Sequence, residues 1–352
     1  MKSIKGIFTV LRVIIGIGLA FGLVYGTIKS TESDIWESLY RANRSLLIFS
    51  LIFHGMILLI ACYRWNLLLR AQGIYLPIVT VLRLSIIGVF FNLTLPGAVS
   101  GDIVKMSMIM KYSEDKKNGA ILSILLDRAL GLFGLFLVST FVILLSFPYL
   151  LHLDSEHRSI QIGSYMVGMG SIVGILILLF IELRKKLMSF RLVAGTVAYG
   201  KKRIPTPLAS WLERLILALE IFGEARAAIG LAVFLSFGVH SLSALNVFCM
   251  GASLGENSLG LRDYFLAVSV ANAISAIPVT PGGIGTRDAT IALFFSSMGA
   301  STENAVAVPI MMSFIIIFWG LLGGIIFVFF KLPRHLIRRL VGGKEKKKCT
   351  HS

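Results

Sequence analysis

Apolar residues along this chain fall into long unbroken runs, with charge confined to the stretches between them. Six such runs cover roughly Ile7–Ile28, Leu46–Leu69, Asn118–Phe147, Ile160–Ile181, Arg226–Met250 and Asn304–Phe330. At the helical rise of about 1.5 Å per residue, each is long enough to cross a hydrocarbon core of about 30 Å. Two further segments, Ile78–Lys111 and Leu261–Met298, are apolar but interrupted by Pro and Gly. Their second pieces, Asp102–Met110 and Arg287–Met298, are too short to cross, so both segments are expected to turn back as re-entrant hairpins. The pattern predicts an all-α integral membrane protein of about six transmembrane helices plus two Pro/Gly-broken helical hairpins.

The two interruptions share their chemistry. Leu93-Thr-Leu-Pro-Gly-Ala-Val-Ser-Gly-Asp102 is answered by Pro278-Val-Thr-Pro-Gly-Gly-Ile-Gly-Thr-Arg-Asp288, with Pro281-Gly282 standing 185 residues after Pro96-Gly97. At that offset Ala120 falls on Ala305, and a long apolar run follows each copy. Residues 78–147 and 261–330 therefore read as repeats within one membrane domain, residues 1–340. Three crossings separate the hairpins, which inverts one repeat relative to the other across the membrane. Paired breaks in matching positions point to a substrate site between transporter repeats; the alternative is two ordinary loops between helices.

Composition agrees with a membrane chain: 352 residues, 56% hydrophobic, mean hydropathy +0.84. A net charge of +16 first suggests nucleic acid, but its placement argues otherwise. With the N-terminus cytoplasmic, twenty-one Lys and Arg lie on the cytoplasmic side and five on the other, as the positive-inside rule requires. The expected location is the cell membrane, with both termini cytoplasmic and no nucleic-acid partner. Met1-Lys-Ser-Ile-Lys resembles the start of a signal peptide. The apolar run after it is too long and lacks an Ala-x-Ala site, so it reads as the first membrane helix. Gly18/Gly22/Gly26, Gly170/Gly174 and Gly320/Gly324 form four-residue ridges suited to close helix packing. After the linker Lys201-Lys-Arg-Ile-Pro-Thr-Pro, residues of about 207–225 carry Trp211, Leu215, Leu219 and Phe222 at helical spacing, predicting an interfacial amphipathic helix. Residues 341–352 form a basic cytoplasmic tail. The scattered Cys62, Cys249 and Cys349 and the six histidines suggest neither a disulfide framework nor a metal site, and no cofactor is expected. His54 and His240 read as helix-packing or pore residues.

Ionisable groups inside a bilayer are costly, so each is a candidate for function. Asp127 and Arg128 lie about 14 Å into a span at helical rise. Neighbours in sequence point apart on a helix, so each needs another partner. Arg128 has a planar fork that matches a lipid phosphate; the competing reading is an inter-helix salt bridge, for instance Arg128 with Asp102 or Asp127 with Lys105. Asp102 and Lys105 open the returning half of the first hairpin, and Arg287 and Asp288 that of the second. A half-helix starting at depth offers unpaired N–H groups and a positive dipole end to an anion. The aspartates read first as stabilisers of those helix starts, Lys105 and Arg287 as anion ligands, and Asn92 as a cap for freed backbone. Pro96, Gly97, Pro281, Gly282 and Gly283 complete the candidate substrate site.

In these pieces the chain resembles the flippase-like transmembrane domain of lysylphosphatidylglycerol synthases. The resemblance rests on Asn92-Leu-Thr-Leu-Pro96 with Gly101-Asp102 and Lys105, on Asp127-Arg128, and on Pro278-Val-Thr-Pro281-Gly-Gly-Ile-Gly285 with Arg287-Asp288. It implies lipid translocation without naming the lipid. Two departures stand out: the family often has Glu where Asp288 stands, and full-length synthases carry an aminoacyl-transferase domain after the membrane region. This chain ends about twenty residues beyond its last span, so it is not expected to make lysyl-lipid.

The leading expectation is a transporter that moves a phospholipid or lipid-linked intermediate between leaflets, with phosphate-bearing membrane lipids as partners. An ATP-binding Gly-x-x-x-x-Gly-Lys-Ser/Thr loop is missing from the sequence, so transport would be passive or ion-coupled. The alternatives are an intramembrane lipid-modifying enzyme, which the dispersed single acids disfavour, and a non-catalytic accessory subunit of a separate lipid-synthesising enzyme. Homo-oligomers are compatible with each reading.

Overall fold

The computed structural model describes residues 40–94, 100–113, 116–152, 158–187, 225–277 and 280–329. The first apolar run Ile7–Ile28, the amphipathic segment about 207–225 (Ala225 apart) and the tail 341–352 lie outside them, as do Pro96, Gly97 and the side chain of Pro281.

The described chain is α-helical: α1 Arg44–Ala71, α2 Ile78–Thr94, α3 Ser100–Tyr112, α4 Lys117–Leu145, the short α5 Phe147–Leu151, α6 Arg158–Leu187, α7 Arg226–Ser253, α8 Leu261–Ser275, α9 Thr286–Ser297 and α10 Thr302–Phe329. Helices α1, α4, α7 and α10 are 28 or 29 residues long and strongly apolar, enough to cross a membrane. Helix α6 runs 30 residues, with its apolar stretch at Ile160–Leu176. This is an all-α, multi-pass membrane protein. α1 starts where the Asn43 carboxamide accepts from the backbone N–H groups of Ser45 and Leu46 at 3.0 and 3.3 Å, filling donors that have no helical partner.

Moved by 185 residues, the bounds of α1, α2, α3 and α4 fall within a few residues of those of α7, α8, α9 and α10. Packing follows the same rule, because α2 lies on α10 as α8 lies on α4. The matching helices α1 and α7 run antiparallel: Asn43 N donates to Ser253 O at 2.8 Å, and farther along Arg64 Nη1 donates to Ser236 Oγ at 2.8 Å. The segments that flank each broken pair touch one another. Lys116 Nζ, after α3, donates at 3.1 Å to Gly73 O, before α2. Asn304 Nδ2, after α9, donates at 3.0 Å to Glu256 Oε2, before α8.

The buried core has two main parts. One gathers Val138, Val247, Leu266, Val270, Phe295 and Met311; the other gathers Trp65, Leu84, Ile87, Ile109 and Ile124. Without a hydrophobic driving force between helices in lipid, close contact relies on small residues. Gly320, Gly323 and Gly324 supply it on α10: a Cβ at Gly323 would collide with the Ile86 carbonyl oxygen, and one at Gly324 would stand 2.9 Å from the Phe90 ring. The α6 ridge divides differently from its sequence reading, since Gly174 packs on Phe136 while Gly170 faces open space.

Candidate functional site

The first break is held together by backbone-level contacts. Gly101 meets the Gly88 carbonyl oxygen so closely that no side chain fits between α2 and α3. The Asn92 Oδ1 accepts from Gly101 N at 2.8 Å, capping the start of α3, and Ser100 Oγ donates to Phe91 O at 3.0 Å. Freed backbone groups at depth must be satisfied internally, and these side chains do that. Gly88 also leaves room for the aliphatic stem of Lys105, which lies across it.

A chain of charges builds out from that start. Asp102, almost fully buried, accepts from Arg128 Nε and lies 4.0 Å from Lys105 Nζ. Lys105 Nζ stands 4.0 Å from the centroid of the Trp65 ring, a cation–π contact, and the Trp65 indole donates to Ser123 Oγ at 3.2 Å. Asp127 turns the other way and accepts from Arg64 Nε at 2.8 Å, with Arg64 Nη1 on Ser236 Oγ. The adjacent Asp127 and Arg128 thus take separate partners, as helix geometry requires. The Arg128–Asp102 bridge forms; the partner of Asp127 is Arg64, not Lys105. Arg64 went unremarked in the sequence although it stands inside an apolar run, the signal that singled out Arg128.

Together Arg64, Lys105, Arg128, Asp102 and Asp127 carry one positive charge in excess. All but Arg64 border a cavity of about 120 Å³, far above the roughly 10–15 Å³ that holds one water. Asn92, Asp102, Lys105, Asp127 and Arg128 supply its polar lining, and Leu58, Ala61, Cys62 and Val89 are among its apolar lining. The Arg128 side chain is 49% exposed against 3% for Asp102. Among the described residues its Nη groups make no hydrogen bond, so the guanidinium presents two donors to whatever enters. An anion with paired oxygens fits that fork.

The second break places Gly282, Gly283 and Gly285 at φ of 61°, 74° and 89°, a left-handed backbone that explains three glycines in four residues. A Cβ on Gly282 would stand 2.9 Å from Leu93 Cδ2 and 3.7 Å from Asn92 O, so this turn abuts the end of α2 beside the cavity. Arg287 and Asp288 pair with each other, Nη2 to Oδ1 at 2.9 Å, despite being sequence neighbours. Ser313 joins them, accepting from Arg287 Nη2 at 2.7 Å and donating to Asp288 Oδ2 at 2.6 Å. Asp288 Oδ2 also accepts from Gly285 N at 3.2 Å, the helix-start role expected for it. Arg287 is 5% exposed and its charge is matched by Asp288. Arg287 and Asp288 therefore lie outside the set that lines the cavity. At the 185-residue offset Arg287 answers Asp102 and Ser313 answers Arg128, so the same two positions touch in both halves with different chemistry. Among the described residues there is no group of His, Cys, Asp and Glu able to hold a metal.

A membrane bundle with two matched helix breaks and a charged cavity beside them belongs to the class of polytopic membrane domains. More narrowly, residues 10–324 match the model of the lysylphosphatidylglycerol synthase transmembrane region, and the chain belongs to that family. It is 26% identical to a UPF0104 membrane protein of Pyrococcus horikoshii, over 90% of this chain and 95% of that one. It is 21% identical to a UPF0104 membrane protein of Methanothermobacter thermautotrophicus, over 81% of this chain and 85% of the relative.

Proposed function

We propose that the protein is a flippase-like transporter that carries a phosphate-bearing lipid between leaflets. The observation that carries this reading is the half-exposed Arg128 fork in a cavity lined also by Asn92 and Lys105, within a charged cluster that has one positive charge in excess. An idle arginine at that depth would be costly, and a lipid phosphate would neutralise the excess of the cluster. Asn92 and Lys105 complete the anion site, and Asp102 holds Arg128 in place through Nε while leaving its outer edge to the lipid. The antiparallel course of α1 and α7 supports an inverted repeat, and the clasps Lys116–Gly73 and Asn304–Glu256 support re-entrant hairpins. Inverted halves around one site suit alternating access. The charge bias supports a cytoplasmic position for the Lys116 end.

The test is reconstitution of the purified protein with labelled anionic lipids, scoring leaflet exchange and covalent change separately. Arg128→Ala should abolish exchange without loss of the fold, and Arg128→Lys should retain part of it because charge remains while the paired donors are lost. Normal exchange in a stable Arg128→Ala protein would remove Arg128 from the site. Lipid that emerges chemically altered would point instead to an enzyme, and unchanged lipid with no exchange to an accessory role.

A further inference from the structure

The two halves match in element order but not in every contact. α4 packs closely along α7, with Gly134 set against Ser236. Their counterparts at the 185-residue offset, α10 and α1, are parted by a groove of about 480 Å³. Leu47, Ile48 and Leu51 form its α1 wall; Phe314, Phe318 and Leu321 stand on the α10 side. Every lining residue is apolar, and Ile48 is 59% exposed. On α10 the lining runs from Met311 to Leu321, about 15 Å at helical rise and so half of a hydrocarbon core of about 30 Å. The groove has the length of one leaflet.

One face of α1 joins this groove to the charged cavity. Leu47, Leu51, His54, Leu58 and Cys62 follow one another at three- and four-residue steps, which keeps them on a single stripe. Leu47 and Leu51 line the groove, while Leu58 and Cys62 line the cavity. Leu51 and Leu58 are about 10 Å apart along the helix. Between them the Trp319 indole is seated on Gly55, where a Cβ would run into the ring, and its Nε1 donates to Leu51 O at 3.1 Å.

We propose that the groove between α1 and α10 is the acyl-chain site for the lipid whose phosphate is held at Arg128, with Trp319 as the partition between tail and head. The proposal rests on the transport reading for the head and adds where the tail lies. An amphiphile needs an apolar track one leaflet long that leads to its anion site, and this α1 stripe provides both. The closed α4–α7 contact is the counterpart position with no such track. Gly55 serves the partition, because any side chain there would push the indole off the helix.

The proposal is tested in proteoliposomes of phosphatidylcholine and phosphatidylglycerol, with a trace of phosphatidylglycerol bearing a diazirine near its acyl terminus. After photolysis, adducts are mapped by mass spectrometry. Adducts should concentrate on Leu47–Leu51 and Phe314–Leu321 and fall severalfold when unlabelled phosphatidylglycerol, but not phosphatidylcholine, is raised. Equal labelling of the exposed Met166 and Met169 on α6 would mean ordinary surrounding lipid and overturn the site. Ile48→Trp should lower both groove adducts and lipid exchange, whereas Met169→Trp should change neither. Normal exchange in folded Ile48→Trp would overturn the groove and leave the transport reading standing. Specific groove adducts without any exchange in the unsubstituted protein would remove the transport reading and leave the groove. Disulfide-linked dimers of Ile48→Cys protein would assign the groove to a second copy. Adducts that arise only after deletion of residues 7–28 would assign it to that run. Either result overturns the acyl-chain site.

Discussion

Replacing Arg64 with Met tests how the charged cluster is held. Arg64 and Asp127 are 9% and 11% exposed at their side chains and bond at 2.8 Å, and Ser236 takes a second Arg64 donor. Removing one partner of such a pair strands a buried charge and costs about 3–5 kcal/mol. Lys105 lies near enough to feel the Asp127 charge, which favours the lower end of that range. At roughly 2–4 °C per kcal/mol, the midpoint of thermal unfolding should fall by roughly 6–20 °C. Arg64→Met/Asp127→Leu removes both charges and fills the space with apolar atoms, an exchange that is often neutral or stabilising for buried pairs. The double variant should therefore recover most of the loss. It also keeps the single excess positive charge of the cluster, so lipid exchange should return with stability. The assay is tryptophan fluorescence on heating in detergent at one fixed rate, with leaflet exchange measured on the same preparations. An Arg64→Met midpoint within about 2 °C of the original, equivalent to less than about 1 kcal/mol, would refute the buried-pair argument. A stable double variant without exchange would show that Arg64 acts on the lipid itself.

Two other outcomes follow from packing and topology. Gly323→Leu should destabilise the protein by more than Gly170→Leu, since the first collides with the Ile86 carbonyl and the second meets open space; thermal midpoints of both variants decide it. With Cys62, Cys249 and Cys349 replaced by Ser, Ser258→Cys should react with an impermeant thiol reagent from outside and Gln72→Cys only after permeabilisation. The reverse pattern would overturn the assigned orientation.

The long apolar runs determined the helices at sequence level, because a bilayer-length run of apolar residues has few alternatives to a helix when every backbone group must be paired internally. Leu46–Leu69 became α1, and Ile78–Lys111 became the broken pair α2–α3, from length and Pro/Gly punctuation alone. The 185-residue echo was legible for the same reason, since helix bounds follow the spacing of the breaks. Asn92 as a cap and Asp288 at a helix start were also within reach, being interactions nine and three residues long.

What only tertiary structure decided are the pairings between distant positions. The Arg64–Asp127 bond joins residues 63 positions apart, and Ser236 reaches Arg64 across 172. Spacing in the chain carries no information about which helix faces which. The same limit applies to the second half, where Arg287 spends its charge on Asp288 and Ser313 and leaves the cavity to the first half. Two similar motifs thus differ in their pairings, because Arg128 meets a buried carboxylate at one edge and open space at the other. The groove between α1 and α10 was likewise invisible, since its walls come from the two ends of the sequence and only their separation in space makes room for a ligand.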